Sequence, residues 1–150
     1  MVSRLRAIAT SVFSIAIYAA AVPALAIPIS PPRVTIWNDG GGHVVVYALK
    51  MLKLKESGVP VEFSGRCASA CTLYLALPKP QTCLSSHATF RFHVPYGGSR
   101  RANAVAAAYL LRTYPSWVRS WIHRNGGLSS RVLVMKYDYA SRFLRTCQSS

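Results

Sequence analysis

The chain has 150 residues, 51% of them hydrophobic, which is enough for one domain built around one core. Against 18 lysines and arginines stand only four acids, giving a formal charge of +14. Such a surface either draws anions, lipid headgroups and cell-envelope polyanions among them, or serves only as a solvated basic face. The chain carries no nucleic-acid-binding module and no His/Cys spacing of a zinc site, so nucleic acid and metal are not expected partners.

The chain opens with a targeting segment. Arg4 and Arg6 precede an apolar stretch from Ala7 to Val22, and Ala24-Leu25-Ala26 supplies small residues for cleavage. That pattern predicts a signal peptide over residues 1–26 and an exported, periplasmic or secreted domain over 27–150. The competing reading is an uncleaved membrane anchor, for which the run before Pro23 is short. Export makes Cys67, Cys71, Cys83 and Cys147 candidates for disulfides. Three complete pairings exist, and sequence does not choose among them. A Cys67–Cys71 bridge inside one helical turn would be strained, so distant partners are expected for both.

Arg33-Val34-Thr35-Ile36-Trp37 is rich in β-branched and aromatic residues and predicts a strand. It runs into Asn38-Asp39-Gly40-Gly41-Gly42, and His43 to Ser57 then has helical periodicity, with Val44, Tyr47, Ala48, Met51 and Leu52 on one side. Gly58 ends that helix, and Val59 to Phe63 is the next strand. Strand, glycine turn, helix, strand is a βαβ unit, which implies a parallel pair. The glycine turn lacks G-x-G-x-x-G and the P-loop lysine-serine pair, so no nucleotide cofactor is implied. It is either a tight turn needing positive φ or a loop whose N–H groups meet an anion or oxyanion.

Gly65-Arg66-Cys67-Ala68-Ser69-Ala70-Cys71-Thr72 follows, with one serine among small residues where a strand gives way to an apolar helix, Ala70 to Leu77. A serine there is either a helix cap or a nucleophile beside unpaired backbone N–H groups. After Pro78, Pro80 and a loop carrying Cys83, Ala88 to Val94 predicts a third strand. Phe90, Phe92 and Val94 face one way, and Thr89, Arg91 and His93 the other. His93 therefore ends a strand on its polar face, where sites collect on α/β sheets. Ala102–Thr113 and Ser116–Arg124 predict helices, the second with Trp117 and Trp121 on a side that is core, subunit contact or envelope-facing surface. Leu128 to Leu144 is expected to be helical.

These segments, in this order, resemble the Clp-protease/crotonase superfamily, in particular small exported proteins related to the Clp protease proteolytic subunit. The resemblance rests on Asn38-Asp39-Gly40-Gly41-Gly42, on Gly65 through Ser69 to Ala70, and on His93-Val94-Pro95, with a serine-to-histidine spacing close to that family's. It covers roughly Val34 to Gly98 in good order and Ala102 to Leu144 more loosely. It implies a single α/β domain, a Clp/crotonase-like spiral of βαβ units. It further implies Ser69 as nucleophile, His93 as general base, and an oxyanion hole from the N–H groups of Gly41 (or Gly42) and Ala70. Asp138 falls near the place of the family's acid, its competing role being an i,i+4 ion pair with Arg142. The implied function is an ATP-independent serine hydrolase, a peptidase or another acyl-transfer enzyme without metal or cofactor, with self-association through the helices after Ala102. Cys71 as nucleophile is a weaker alternative, since oxidation would remove its thiolate. The reading from another class is a non-catalytic basic envelope protein that keeps the fold and binds anions.

Overall fold

The computed structural model describes residues 32–148. The expected signal peptide, residues 1–26, lies outside the described residues. The described chain is a mixed α/β domain, as the sequence predicted.

Strand β1 (Val34–Asp39) leads through the glycine turn into helix α1 (Val44–Ser57) and back into strand β2 (Val61–Ala68). β1 and β2 pair in parallel, with Val34 opposite Val61 and Asp39 opposite Cys67. The ladder carries a bulge. From Ile36/Phe63 to Asn38/Arg66 the partners advance by two residues on β1 and three on β2. Gly65 sits at this bulge because the Trp37 carbonyl oxygen fills its side-chain position, 1.9 Å from where a Cβ would stand. β2 therefore continues past Phe63 through the small-residue stretch and delivers Ser69 at its end.

The other edge of β2 is shared by two strands in succession. β3 (Thr82–Leu84) pairs in parallel with its first half, and β4 (Thr89–Phe92) with Arg66–Ala68. Alternation on β4 is as expected, with Phe90 and Phe92 buried and Arg91 exposed. Helices α2 (Arg100–Thr113) and α3 (Ser116–Arg124) follow. The segment expected to be helical from Leu128 instead forms strand β5 (Leu133–Lys136), antiparallel to β4, and a single turn, α4 (Tyr137–Ala140). The reason is the covered face of β4, which needs a partner for its edge. Leu133 and Met135 turn inward to supply one, while Val134 and Lys136 stay outside.

The core is largely aromatic. Phe63 meets Phe90 edge-on at 5.0 Å, and Phe92 meets Tyr114 edge-on at 5.7 Å. Trp117 stacks on Phe143 at 4.8 Å, and Trp121 packs against Phe92 and Tyr139. The aromatic side of α3 is thus core, the first of the three readings left open for it. Each fully buried phenylalanine contributes about 2–3 kcal/mol relative to exposure.

Both disulfides are local to the sheet. Cys83 bonds Cys147, joining β3 to the C-terminal segment with Cα atoms 4.9 Å apart. Cys67 bonds Cys71 across a Cα–Cα distance of 5.4 Å. The expectation of distant partners for Cys67 and Cys71 is therefore corrected. The two are not in one helical turn. Cys67 belongs to the extended end of β2, the chain reverses at Ser69, and Cys71 lies in the following 3₁₀ helix. That reversal brings their side chains within bonding distance. Two disulfides are consistent with an oxidising compartment outside the cytoplasm. No described helix is long and apolar enough to cross a membrane.

Candidate active site

Ser69 opens the 3₁₀ helix Ser69–Ala76 with φ at 54°, the only described residue other than glycine at positive φ. A side chain held there carries strain that its surroundings must sustain. Several contacts do so. The Cys67–Cys71 bridge closes the reversal from both sides. The Thr72 hydroxyl donates to the Ser69 carbonyl at 2.6 Å and lies 2.6 Å from the Tyr114 hydroxyl. Thr72 has one proton and spends it on Ser69, so Tyr114 is the donor to Thr72. Tyr114 is fully buried at the end of α2, and burial raises its phenol well above the ordinary range. Neither Thr72 nor Tyr114 is singled out by sequence. A hydroxyl three residues after a helix-starting serine was the available sign.

The glycine turn lies directly against this elbow. A Cβ on Gly41 would stand 2.4 Å from the Ala68 carbonyl oxygen, 2.7 Å from the Ser69 Cβ and 2.8 Å from the Ala70 nitrogen, and φ there is +80°. Only glycine fits. The turn is organised by Asp39, whose Oδ1 accepts from the Gly41 N–H at 2.8 Å and from the Tyr47 hydroxyl at 2.6 Å. Desolvation, then this bond, pushes the Tyr47 phenol well above its usual value. Tyr74 is raised to about 12 by burial and by the Asp39 charge.

This arrangement corrects one expected role. The Gly41 N–H is spent on Asp39 and is not free to meet an oxyanion. Among the described residues the Gly42 N–H has no acceptor. The Ala70 N–H lies in the first turn of a helix whose Ala68 cap offers no side-chain acceptor. Gly42 and Ser69 border a cleft of about 480 Å³ lined also by Gly40, Gly41, His43 and Tyr96, among others, whereas Ala70 is buried behind Ser69 and does not line it.

His93 stands just past the end of β4, whose Arg91 is opposite Ala68, so β2 and β4 bring the serine and the imidazole to one end of the sheet. No hydrogen bond joins the Ser69 hydroxyl to the ring, and the cleft is lined by Pro95 and Tyr96 rather than by His93 itself. The His93 Nδ1 lies 2.8 Å from the Val94 carbonyl oxygen. A carbonyl only accepts, so Nδ1 is the donor, and in the neutral ring Nε2 is then the nitrogen that carries the lone pair.

Asp138 is not the group that fixes that tautomer. β5 runs antiparallel to β4 with Lys136 opposite Thr89, so the chain reaches Asp138 beyond the far end of β4. Four strand residues, ~13 Å of sheet, separate the level of Lys136 from that of His93. Asp138 is exposed, and it makes no ion pair with Arg142 either; the Arg142 guanidinium lies over the Tyr139 ring. The only ion pair among the described residues is Arg33–Glu62. Cys71 is oxidised and provides no thiolate. Among the described residues one metal-capable cluster occurs, Glu62 with Cys83 and Cys147, and its sulfurs are consumed by their disulfide.

A serine on a strained strand-to-helix elbow, backbone amides beside it and an imidazole just past the next strand end thus share one end of the sheet. Among solved structures, the chain is similar to a mutant of ClpP1 from Listeria monocytogenes, at 22% identity and a TM-score of 0.47, with 75% of this chain and 68% of that chain covered. No protein-family model and no curated protein matches the chain. A likeness of that size assigns no role to any residue here.

Proposed function

We propose that the protein is an exported serine hydrolase that works without ATP, metal or cofactor and cleaves peptide or other acyl bonds. Ser69 is the nucleophile and His93 the base, with oxyanion donors at Gly42 and Ala70. The observation that carries this reading is the positive φ of Ser69, a strained conformation braced by a disulfide, by Thr72 and Tyr114, and by a glycine that admits no side chain. A mere helix cap needs none of that bracing, since serine caps in an ordinary extended conformation. The order of segments resembling Clp-type proteins supports the same roles. Closing the catalytic hydrogen bond requires His93 to swing toward the hydroxyl, a tightening common when substrate binds. The N-terminal targeting pattern and the disulfides support a periplasmic or secreted location.

The second reading, a non-catalytic protein on this fold, is favoured by two observations: the missing Ser69–His93 bond and the Asp39 carboxylate bound at the glycine turn. A fluorophosphonate probe on the oxidised protein decides between them. The hydrolase reading expects labelling of the native chain and at least a hundredfold loss in both Ser69→Ala and His93→Ala. Well-folded protein that takes no label at any pH from 6 to 9 establishes the other.

A further inference from the structure

A second concavity, about 720 Å³, runs between α1 and α2 and borders the serine cleft along Val44, Val45, Ala102 and Ala106. Its floor and rims are aliphatic. Val45 and Leu49 of α1 are 67% and 63% exposed, and Val105 of α2 is 62% exposed, and together along one groove they form a contiguous apolar patch of the kind that marks an interaction site. Val45, Leu49 and Leu52 are spaced as one helical stripe, and so are Arg101, Val105 and Arg112 on α2. The second stripe puts a guanidinium at each end of the aliphatic patch, ~16 Å apart by helical rise. Lys53 stands one turn from Leu49 on α1 and is exposed. None of the lining residues is acidic; Glu56, one turn beyond Leu52, lies outside the lining. Among the described residues neither Arg101 nor Arg112 has a carboxylate partner.

From this arrangement we infer that the α1–α2 groove docks on an anionic lipid surface, aliphatic side chains inserting among acyl chains while Arg101, Arg112 and Lys53 meet the phosphates. Apolar area flanked by cations is the combination that binds such an interface, each part supplying what the other lacks. A second copy is the poorer complement. Pairing two such grooves brings Arg101 and Arg112 of both chains together with no acid in the lining to offset them. A specific peptide is also poorly served, since Ser99 and Tyr109 are the only hydroxyls in the lining able to orient one. The inference does not rest on the hydrolase reading. If both hold, the serine cleft opens beside the bilayer.

Vesicle flotation tests it on oxidised protein recovered after export and carrying Ser69→Ala, so that turnover plays no part. Equimolar phosphatidylglycerol and phosphatidylcholine should bind the protein at least tenfold more tightly than phosphatidylcholine alone. Arg101→Gln/Arg112→Gln and, separately, Leu49→Gln/Val105→Gln should each weaken that binding at least tenfold, with near-ultraviolet circular dichroism unchanged. All four positions are exposed, so folding should survive. Loss in the arginine variant with full binding in the aliphatic one reduces the interaction to general surface charge and overturns the groove. So does a dimer in sedimentation velocity that Leu49→Gln/Val105→Gln dissociates while vesicle binding is unchanged. Absence of any preference for the anionic vesicles overturns it directly.

Discussion

Gly40 and Gly41 are neighbours with opposite tolerances, and the difference locates the site. Nothing lies within 4 Å of a Cβ on Gly40, whereas one on Gly41 meets backbone and the Ser69 side chain. Gly40→Ala should change stability by less than about 0.5 kcal/mol. Gly41→Ala should cost about 2–4 kcal/mol, since it combines a forbidden φ with overlap against the elbow. It should also abolish probe labelling in the fraction that folds. Urea midpoints and labelling of the two variants check this directly. Asp138 offers a complementary test. On the register of β4 and β5 it belongs to the far end of the sheet, so Asp138→Asn should label at the native rate, within about twofold. Tyr114→Phe removes the donor to Thr72 in a closed environment and should destabilise by about 1–2 kcal/mol.

Among elements, the two disulfides should behave differently. By loop-closure entropy, the bridge spanning 64 residues restrains the unfolded chain more than the one spanning four, about 4 against about 2 kcal/mol. Cys83→Ser/Cys147→Ser should therefore lose more stability, while Cys67→Ser/Cys71→Ser should lose more probe labelling, because it frees the elbow. Chemical denaturation paired with labelling separates the two effects. The same elements mark how far the sequence could be read. β1, α1 and the ends of α3 follow from period and punctuation, and β4 from its alternation, because each buries one face of its own residues. β5 is not legible because Val132 to Met135 is an unbroken apolar run with no alternation to mark a strand, and it is one only because β4 offers an edge. β3, three residues long, is too short to display a period. Ser69 and His93 could be located from strand ends. The spending of the Gly41 N–H on Asp39 could not, since it depends on where a carboxylate two residues back folds.

For the whole molecule, the ionisable groups held by the fold set the pH window in which it survives. Tyr74 is raised to about 12, and Tyr47 and Tyr114 are raised further, in each case chiefly because burial disfavours the phenolate. A phenol whose pKa is higher folded than unfolded holds its proton more tightly in the native state. Its stabilisation is complete below the unfolded value near 10 and is lost as pH rises through the folded value. Glu62 has the opposite sign. Its hydrogen bonds from Ser64 and Arg33 lower it, so its contribution is present above the unfolded carboxyl range and disappears as pH falls through the depressed value. With a formal charge of +14 at neutrality, acid adds positive charge to a chain already repelling itself, whereas base relieves that repulsion. Urea midpoints should therefore be nearly level between about pH 6 and 9, drop below about pH 4, and drop again above about pH 10. The alkaline drop discriminates between causes. If buried phenols produce it, Tyr114→Phe, though less stable at neutrality, must lose less stability than the native chain between pH 9 and 11. An identical slope in the two proteins would assign the alkaline loss to other groups.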